Sequence, residues 1–178
     1  LFHVGGIAIL VRSVLAGSAV VVHERFDAAA VAASLEEENI THVSLVPTML
    51  SRLLEARAEA PAPATLKCVL VGGGPASNAL LGRARVLGFP IAPTYGLTEA
   101  ASQVATLPPG RAVPQDGVAG WPLPGIELRI ADEDGGSDLA EMLKGAGVKT
   151  KLGGAPGAGA LCFVTPLGED ASSAAVRL

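Results

Sequence analysis

From residue 5 to about residue 106, short β-branched runs recur between segments with the period of a helix, and this alternation constrains the fold more than any other feature. It is the pattern of βα units, so the expected class is α/β, a mostly parallel sheet flanked by helices. The spacing predicts helices over 6–15, 28–38, 48–58 and 76–86, and strands over 19–23, 41–46, 66–71 and 90–93. Local chemistry supports several of the ends. Asp27 can cap the second helix, with Val31 and Leu35 four apart on one face. Pro47 suits a first helical turn, with Leu50, Leu53 and Leu54 following on one side, and Gly88 suits a helix C-terminus. Residues 98–106 read as a last short helix or turn. Because each β run is short, continuous and bounded by helices, a sheet covered on both faces is expected.

Residues 107–117 form a Pro/Gly loop, and 121–130 read as a strand entry in which Ile126, Leu128 and Ile130 alternate. Beyond Ala131 the sequence turns Gly/Ala/Ser-rich. The expected division is therefore a domain over 1–130 and a divergent, poorly ordered or loosely packed tail over 131–178. Hydrophobic residues make up 49% of the chain and charged residues 17%, enough apolar material for one core. A net charge of −4 without any Lys/Arg cluster excludes the electrostatic footprint of a nucleic-acid binder. The longest apolar runs, such as 5–10 and 19–22, fall far short of the roughly 20 residues that cross a bilayer, so no membrane span is expected. Cys68 and Cys162 lie far apart without a CxxC, which suggests neither a disulfide framework nor a zinc site and makes a reducing cytoplasm the default. The opening Leu1-Phe2-His3-Val4-Gly5-Gly6 reads as the interior of a longer sequence.

Open α/β sheets bind ligands beyond the carboxyl ends of their strands, which directs attention to two loops. In Gly72-Gly73-Gly74-Pro75, three residues without a Cβ would let a flat ring or a phosphate approach the backbone, with a helix start behind; the plainer alternative is a tight strand-to-helix turn. Thr94-Tyr95-Gly96-Leu97-Thr98-Glu99 offers an aromatic face, a hydroxyl for a phosphate oxygen and a carboxylate suited to Mg²⁺. There, Thr98-Glu99 could equally be a helix cap followed by a first-turn acid.

Taken together, the succession of strand, Gly-Gly-Gly-Pro, helix, strand and Tyr-Gly-Leu-Thr-Glu resembles the adenylate-forming superfamily, which includes the acyl-CoA synthetases. Phe2-His3-Val4-Gly5-Gly6 is similar to that family's segment at the mouth of the acyl pocket, and Val46-Pro47-Thr48-Met49-Leu50 to its next strand-helix junction. Residues 71–76 and 95–104 are most similar to the o-succinylbenzoate:CoA ligases of menaquinone biosynthesis, and the resemblance covers residues 1 to about 130. It implies a two-step reaction in which ATP activates a carboxylic acid to an acyl-adenylate and coenzyme A then displaces AMP. By the same resemblance Glu99 would hold Mg²⁺, Thr98 would contact the α-phosphate, and adenine would lie between the Gly73-Gly74 backbone and Tyr95, in a nucleotide site that also includes Gly72, Pro75 and Gly96. His3 would line the acyl tunnel near the reacting carboxylate. Gly72, Ser102 and Gln103 would border the acyl pocket.

Other readings remain open at this point. A non-catalytic module that keeps a nucleotide or acyl-adenylate site would use the same residues, as would a ligase for another aryl or fatty acid. A Rossmann-type dinucleotide binder fits poorly, because Gly72-Gly73-Gly74-Pro75 is not G-x-G-x-x-G. The family's Lys-ended phosphate loop, its ribose-binding Asp and its C-terminal Lys are not found in their expected contexts, and Lys144, Lys149 and Lys151 read as solvated charges. The segment by itself is therefore expected not to form acyl-CoA, and to associate through exposed apolar surface. His23 and His42 receive no role, Cys68 reads as core packing, and Trp121 reads as an anchor under the Pro loop.

Overall fold

In the computed structural model, the described residues are 3–111, 118–131, 161–166 and 176–177. Apart from Ala131 and the last two short stretches, the expected tail lies outside them, as do Lys144, Lys149 and Lys151.

The chain opens with helix α1 (Val4–Ala16), capped by His3 and ended by Gly17 in the left-handed conformation. Helix α2 (Ala28–Glu37) follows, and the Asp27 carboxylate accepts the Ala30 N–H at 2.9 Å, the expected cap. Strand β1 (His42–Leu45) leads into α3 (Pro47–Ala56), with Pro47 in the first turn as its missing N–H allows. Strand β2 (Cys68–Val71) is followed by α4 (Asn78–Val86), whose cap is Ser77 accepting from Leu80 N–H. Strand β3 (Ile91–Leu97) then runs into a single 3-10 turn, Thr98–Ala100. Strands β4 (Ser102–Thr106), β5 (Val118–Pro122), β6 (Ile126–Ala131), β7 (Leu161–Pro166) and β8 (Val176–Arg177) complete the order.

The main sheet has the order β1-β2-β3-β4-β5-β8, and β6 pairs separately with β7. The α/β architecture is as expected, but the sheet divides into two halves. Strands β1, β2 and β3 are parallel, joined by helices α3 and α4; beyond β3 every pairing in this sheet is antiparallel. The division follows from connection length, because a crossover helix returns the chain in the same direction, whereas the short turn after β3 can only reverse it.

Residues 102–106 form a strand rather than the end of a helix, because the left-handed Ala101 ends the 3-10 turn and β3 offers an edge to pair with. Conversely, Val20, Val21 and Val22, within the expected strand over 19–23, are exposed and not part of a strand. A strand is completed by hydrogen bonds to a neighbour, and no described strand pairs with this run.

The core lies between α2, α3, α4 and one face of the parallel strands. Val31 and Leu35, Leu50, Leu53 and Leu54, Val69 and Val71, and Leu81, Ala84, Phe89 and Ile91 form one buried cluster. The periodicities read from the sequence therefore select the buried faces of α2 and α3. Beneath α3, the Arg57 side chain is only 5% exposed, yet it pairs with Glu36 at 2.7 Å, donates to the Pro61 carbonyl and lies over the Phe89 ring. These contacts tie a buried cation to α2 and to the turn before β3. Coverage of both faces holds at β3, where Ile91, Ala92 and Pro93 are all buried, but not at the edge: His42 and Ser44 of β1 are exposed. Cys68 is half-buried at the start of β2, and burial raises its thiol pKa. Trp121 is partly buried in β5, in register with Thr106. His23 and His42 each sit beside a hydroxyl, Ser34 at 3.3 Å and Thr41 at 2.8 Å. Among the described residues no helix is long and apolar enough to cross a membrane.

Candidate functional site

The two loops singled out from the sequence meet at the carboxyl ends of β2 and β3. The Gly72 N–H donates to the Leu45 carbonyl at 3.2 Å, extending the β1–β2 ladder one residue beyond the strand. A Cβ at Gly72 would stand 2.6 Å from Thr94 Cγ2 and 3.0 Å from the Thr94 carbonyl oxygen, so the first glycine is required by the close approach of β3. Gly73 follows with φ +75°, in the left-handed region that a side chain rarely adopts. Gly74 differs from both. Its φ is not positive and a Cβ there would meet nothing within 4 Å, so nothing in the fold demands glycine at this exposed position. Pro75 is also exposed, and Ser77 then starts α4.

Strand β3 carries Thr94, the partly buried Tyr95 and Gly96 past this loop. Its pairing with β4 slips between Tyr95 and Gly96, so that Tyr95 faces Ala105 while Gly96 faces Gln103. Bulges of this kind re-aim the side chains beside them. A side chain at Gly96 would collide with the Ser102 carbonyl, which makes glycine obligatory at the slip. The strand ends at Leu97, and Thr98 and Glu99 lie exposed on the 3-10 turn that follows. Ser102 adopts φ +108° just beyond it. Gly72–Pro75, Tyr95–Glu99 and Ser102–Gln103 are thus brought to one end of the sheet.

His3 is placed differently. It is exposed at the start of α1, where its Nδ1 accepts the Gly5 N–H at 3.2 Å. That contact puts the ring proton of a neutral imidazole on Nε2. Among the described residues no hydrogen bond joins His3 to Thr98 or Glu99; its link to them runs through α1, which packs against β4.

That packing reveals a residue the sequence reading missed. Arg12, exposed on α1, donates from Nη1 to the Gln103 Oε1. The Gln103 Nε2 donates to Thr94 Oγ1 at 3.0 Å and to Thr106 Oγ1 at 3.1 Å. Thr94 Oγ1 in turn donates to the Ala105 carbonyl at 2.9 Å and lies 2.9 Å from Thr106 Oγ1. Among the described residues the ion pairs are Arg57–Glu36 and Arg83–Glu59, so Arg12 brings a cation without a carboxylate to this end of the sheet. Arg12 stands 91 residues from Gln103 in the chain; the only local signal was a single Arg interrupting the apolar pattern of α1.

The donor set bears on which cation could be held here. No group of three His, Cys, Asp or Glu side chains gathers anywhere among the described residues. Glu99 is a lone exposed carboxylate, which suits a hard cation that arrives with phosphates and keeps its waters better than a cage built by protein. The open space at Gly74 likewise leaves room for a flat group against the loop.

The family described as AMP-binding enzyme matches residues 1–151. The chain belongs to the AMP-binding enzyme family. Among its relatives in this family, the 2-succinylbenzoate–CoA ligase of Bacillus pumilus is 46% identical over 132 residues, 74% of this chain and 27% of that protein. The Bacillus subtilis ligase of the same name is 42% identical over 135 residues, again 27% of its length. The chain thus spans about a quarter of the length of the AMP-binding relatives it matches. Among solved structures, the o-succinylbenzoate CoA synthetase of Bacillus subtilis in complex with the acyl-adenylate intermediate OSB-AMP superposes with a TM-score of 0.70 at 41% identity, covering 75% of this chain and 27% of that one. The same enzyme in complex with ATP and magnesium ion gives 0.69 at 41% identity, over 75% of this chain and 28% of that one.

Proposed function

We propose that the protein containing this segment is an AMP-forming acid:CoA ligase that activates o-succinylbenzoate. The observation that carries the reading is the convergence of the Gly72–Pro75 loop, the bulged Tyr95-Gly96 strand and the Thr98-Glu99 turn at one sheet end, in a chain with this likeness to 2-succinylbenzoate–CoA ligases. In the first step an oxygen of the acid's carboxylate bonds to the α-phosphorus of ATP and the bond to pyrophosphate breaks. In the second, the sulfur of coenzyme A bonds to the acyl carbon, the bond to AMP breaks, and the thiol proton is released. Such chemistry asks the protein for positioning and charge neutralisation. Adenine rests between the Gly73-Gly74 backbone and the Tyr95 ring, with Gly72, Pro75 and Gly96 shaping that slot, and the Thr98 hydroxyl donates to the α-phosphate. Glu99 holds Mg²⁺, which offsets charge developing on the phosphates. At the acid's end stand His3, which offers its Nε2 proton toward the reacting carboxylate, then Gly72, Ser102 and Gln103. Arg12 adds a positive charge suited to the acid's second carboxylate.

The test is pyrophosphate release by the full-length protein with ATP, Mg²⁺, coenzyme A and o-succinylbenzoate, for the native sequence and for Glu99→Gln. The expected outcome is turnover that falls at least about a hundredfold in Glu99→Gln, the scale of losing one group that stabilises the transition state. No turnover by the native protein, with AMP binding intact and unchanged in Glu99→Gln, would replace the ligase with a nucleotide-binding module. Turnover only with another aryl or fatty acid would move it elsewhere in the superfamily.

A further inference from the structure

We infer that Gln103 is a positioning residue that aims Arg12 at the acid, rather than a group that touches the acid itself; this rests on the ligase reading above. Hydrogen-bond capacity decides between the two roles. A glutamine amide has two donor hydrogens and an acceptor oxygen. The two hydrogens of Gln103 are taken by Thr94 Oγ1 and Thr106 Oγ1, and the oxygen receives Arg12. Its orientation is also decided by these partners: the Thr94 hydroxyl gives its hydrogen to the Ala105 carbonyl and so faces Gln103 as an acceptor. Turning the amide over would set its oxygen against that acceptor and its nitrogen against a guanidinium, which has no acceptor. The network therefore fixes which end of Gln103 faces α1.

What Gln103 supports also follows from the geometry. It lies on β4 at the bulge opposite Gly96, so it is held by the strand that carries the nucleotide side of the site. Through Thr94 the network reaches the Gly72 turn, because Thr94 Cγ2 occupies the space a Cβ at Gly72 would need. Arg12, by contrast, is exposed on a helix with no buried residue. Its guanidinium receives its direction from the bond to Gln103, and a planar fork held by one arm keeps its other N–H groups available for a carboxylate.

The experiment uses the full-length protein with Gln103→Leu, Arg12→Ala, the double variant and, should Gln103→Leu fold poorly, Thr106→Val, which removes one anchor of the amide and leaves the Arg12 contact. Gln103→Leu is expected to raise KM for o-succinylbenzoate about tenfold while kcat and KM for ATP stay within about twofold, since binding of the acid is weakened equally in the ground state and the transition state. The double variant should be no worse than Arg12→Ala alone, and the preference for o-succinylbenzoate over 4-oxo-4-phenylbutanoate, which lacks the ring carboxylate, should fall about tenfold in Gln103→Leu. Thr106→Val should show the same split at about threefold. A joint rise of both KM values, or penalties that add in the double variant, would overturn the inference in favour of a purely structural role. Nitrogen-15 NMR of the Arg12 guanidinium needs no turnover: slow rotation in the native protein and fast rotation in Gln103→Leu is expected, and equal rotation overturns the positioning. An inactive native protein with this NMR contrast would defeat the ligase reading alone.

Discussion

At the scale of single residues, the glycines of the site separate into those the fold requires and one it does not. Gly96 lies against the Ser102 carbonyl and Gly72 against Thr94, whereas Gly74 borders open space. Replacing Gly96 by Ala is expected to cost about 3 kcal/mol of unfolding free energy, because the backbone of β4 must move to admit a methyl group. Replacing Gly74 by Ala should change stability by less than about 0.5 kcal/mol, as a surface substitution without a steric neighbour. Urea unfolding of the two variants measures the contrast, and AMP titration then asks whether the methyl at Gly74 obstructs a nucleotide that stability alone does not see. Equal stabilities for the two would sink the argument. The motifs themselves were legible because each is a run of neighbours in the chain. Arg12 was not, since its partner Gln103 is brought to it only by the packing of α1 on β4.

At the scale of elements, two helix starts were legible, at Asp27 and Pro47, because a cap or a first-turn proline acts within a few residues; α1 and α4 begin at Val4 and Asn78 rather than at residues 6 and 76. Asp27 illustrates the physics. The Ala30 N–H, 2.9 Å away, is the largest influence holding its carboxyl below the ordinary 3.8. A folded pKa below the unfolded one means that the stabilisation is present in full above the unfolded value and is lost as pH falls through the folded value. The protein should therefore lose stability more steeply than Asp27→Asn as pH falls below the ordinary 3.8, because the asparagine cap does not titrate. Thermal melts across that range check this; identical slopes would show that the cap carries no such linkage. Strands were less legible. The run at 20–22 has high β propensity and forms no strand, while Ser102-Gln103-Val104-Ala105-Thr106 looks like nothing in particular and becomes β4 because β3 lies beside it. Propensity for a strand is fulfilled only by a neighbour.

At the scale of the whole molecule, the apolar surface is unevenly disposed. Helix α1 buries no residue, and Val14 and Leu15 are 78% and 82% exposed, with Ile7, Val11 and the 20–22 run exposed as well. Contiguous apolar surface of this kind favours association. The 178-residue chain by itself is expected to elute as oligomers at micromolar concentration, and Val14→Glu combined with Leu15→Lys to shift it toward monomer. Light scattering on the eluting peaks measures both, and a native chain that stays monomeric would contradict the expectation.

The sequence by itself determined the features that depend on near neighbours: helix starts at Asp27 and Pro47, the buried faces Val31/Leu35 and Leu50/Leu53/Leu54, and the order of glycine, aromatic, hydroxyl and carboxylate that marks the site. Tertiary structure alone decided the antiparallel half of the sheet, the bulge that makes Gly96 obligatory and the bond between Arg12 and Gln103. The reason is one of range. A cap or a helical stripe is completed within a few residues, so its energy is written locally. A strand, a close backbone approach or a polar network is completed by a partner tens of residues away, and its energy exists only once the rest of the chain has placed that partner.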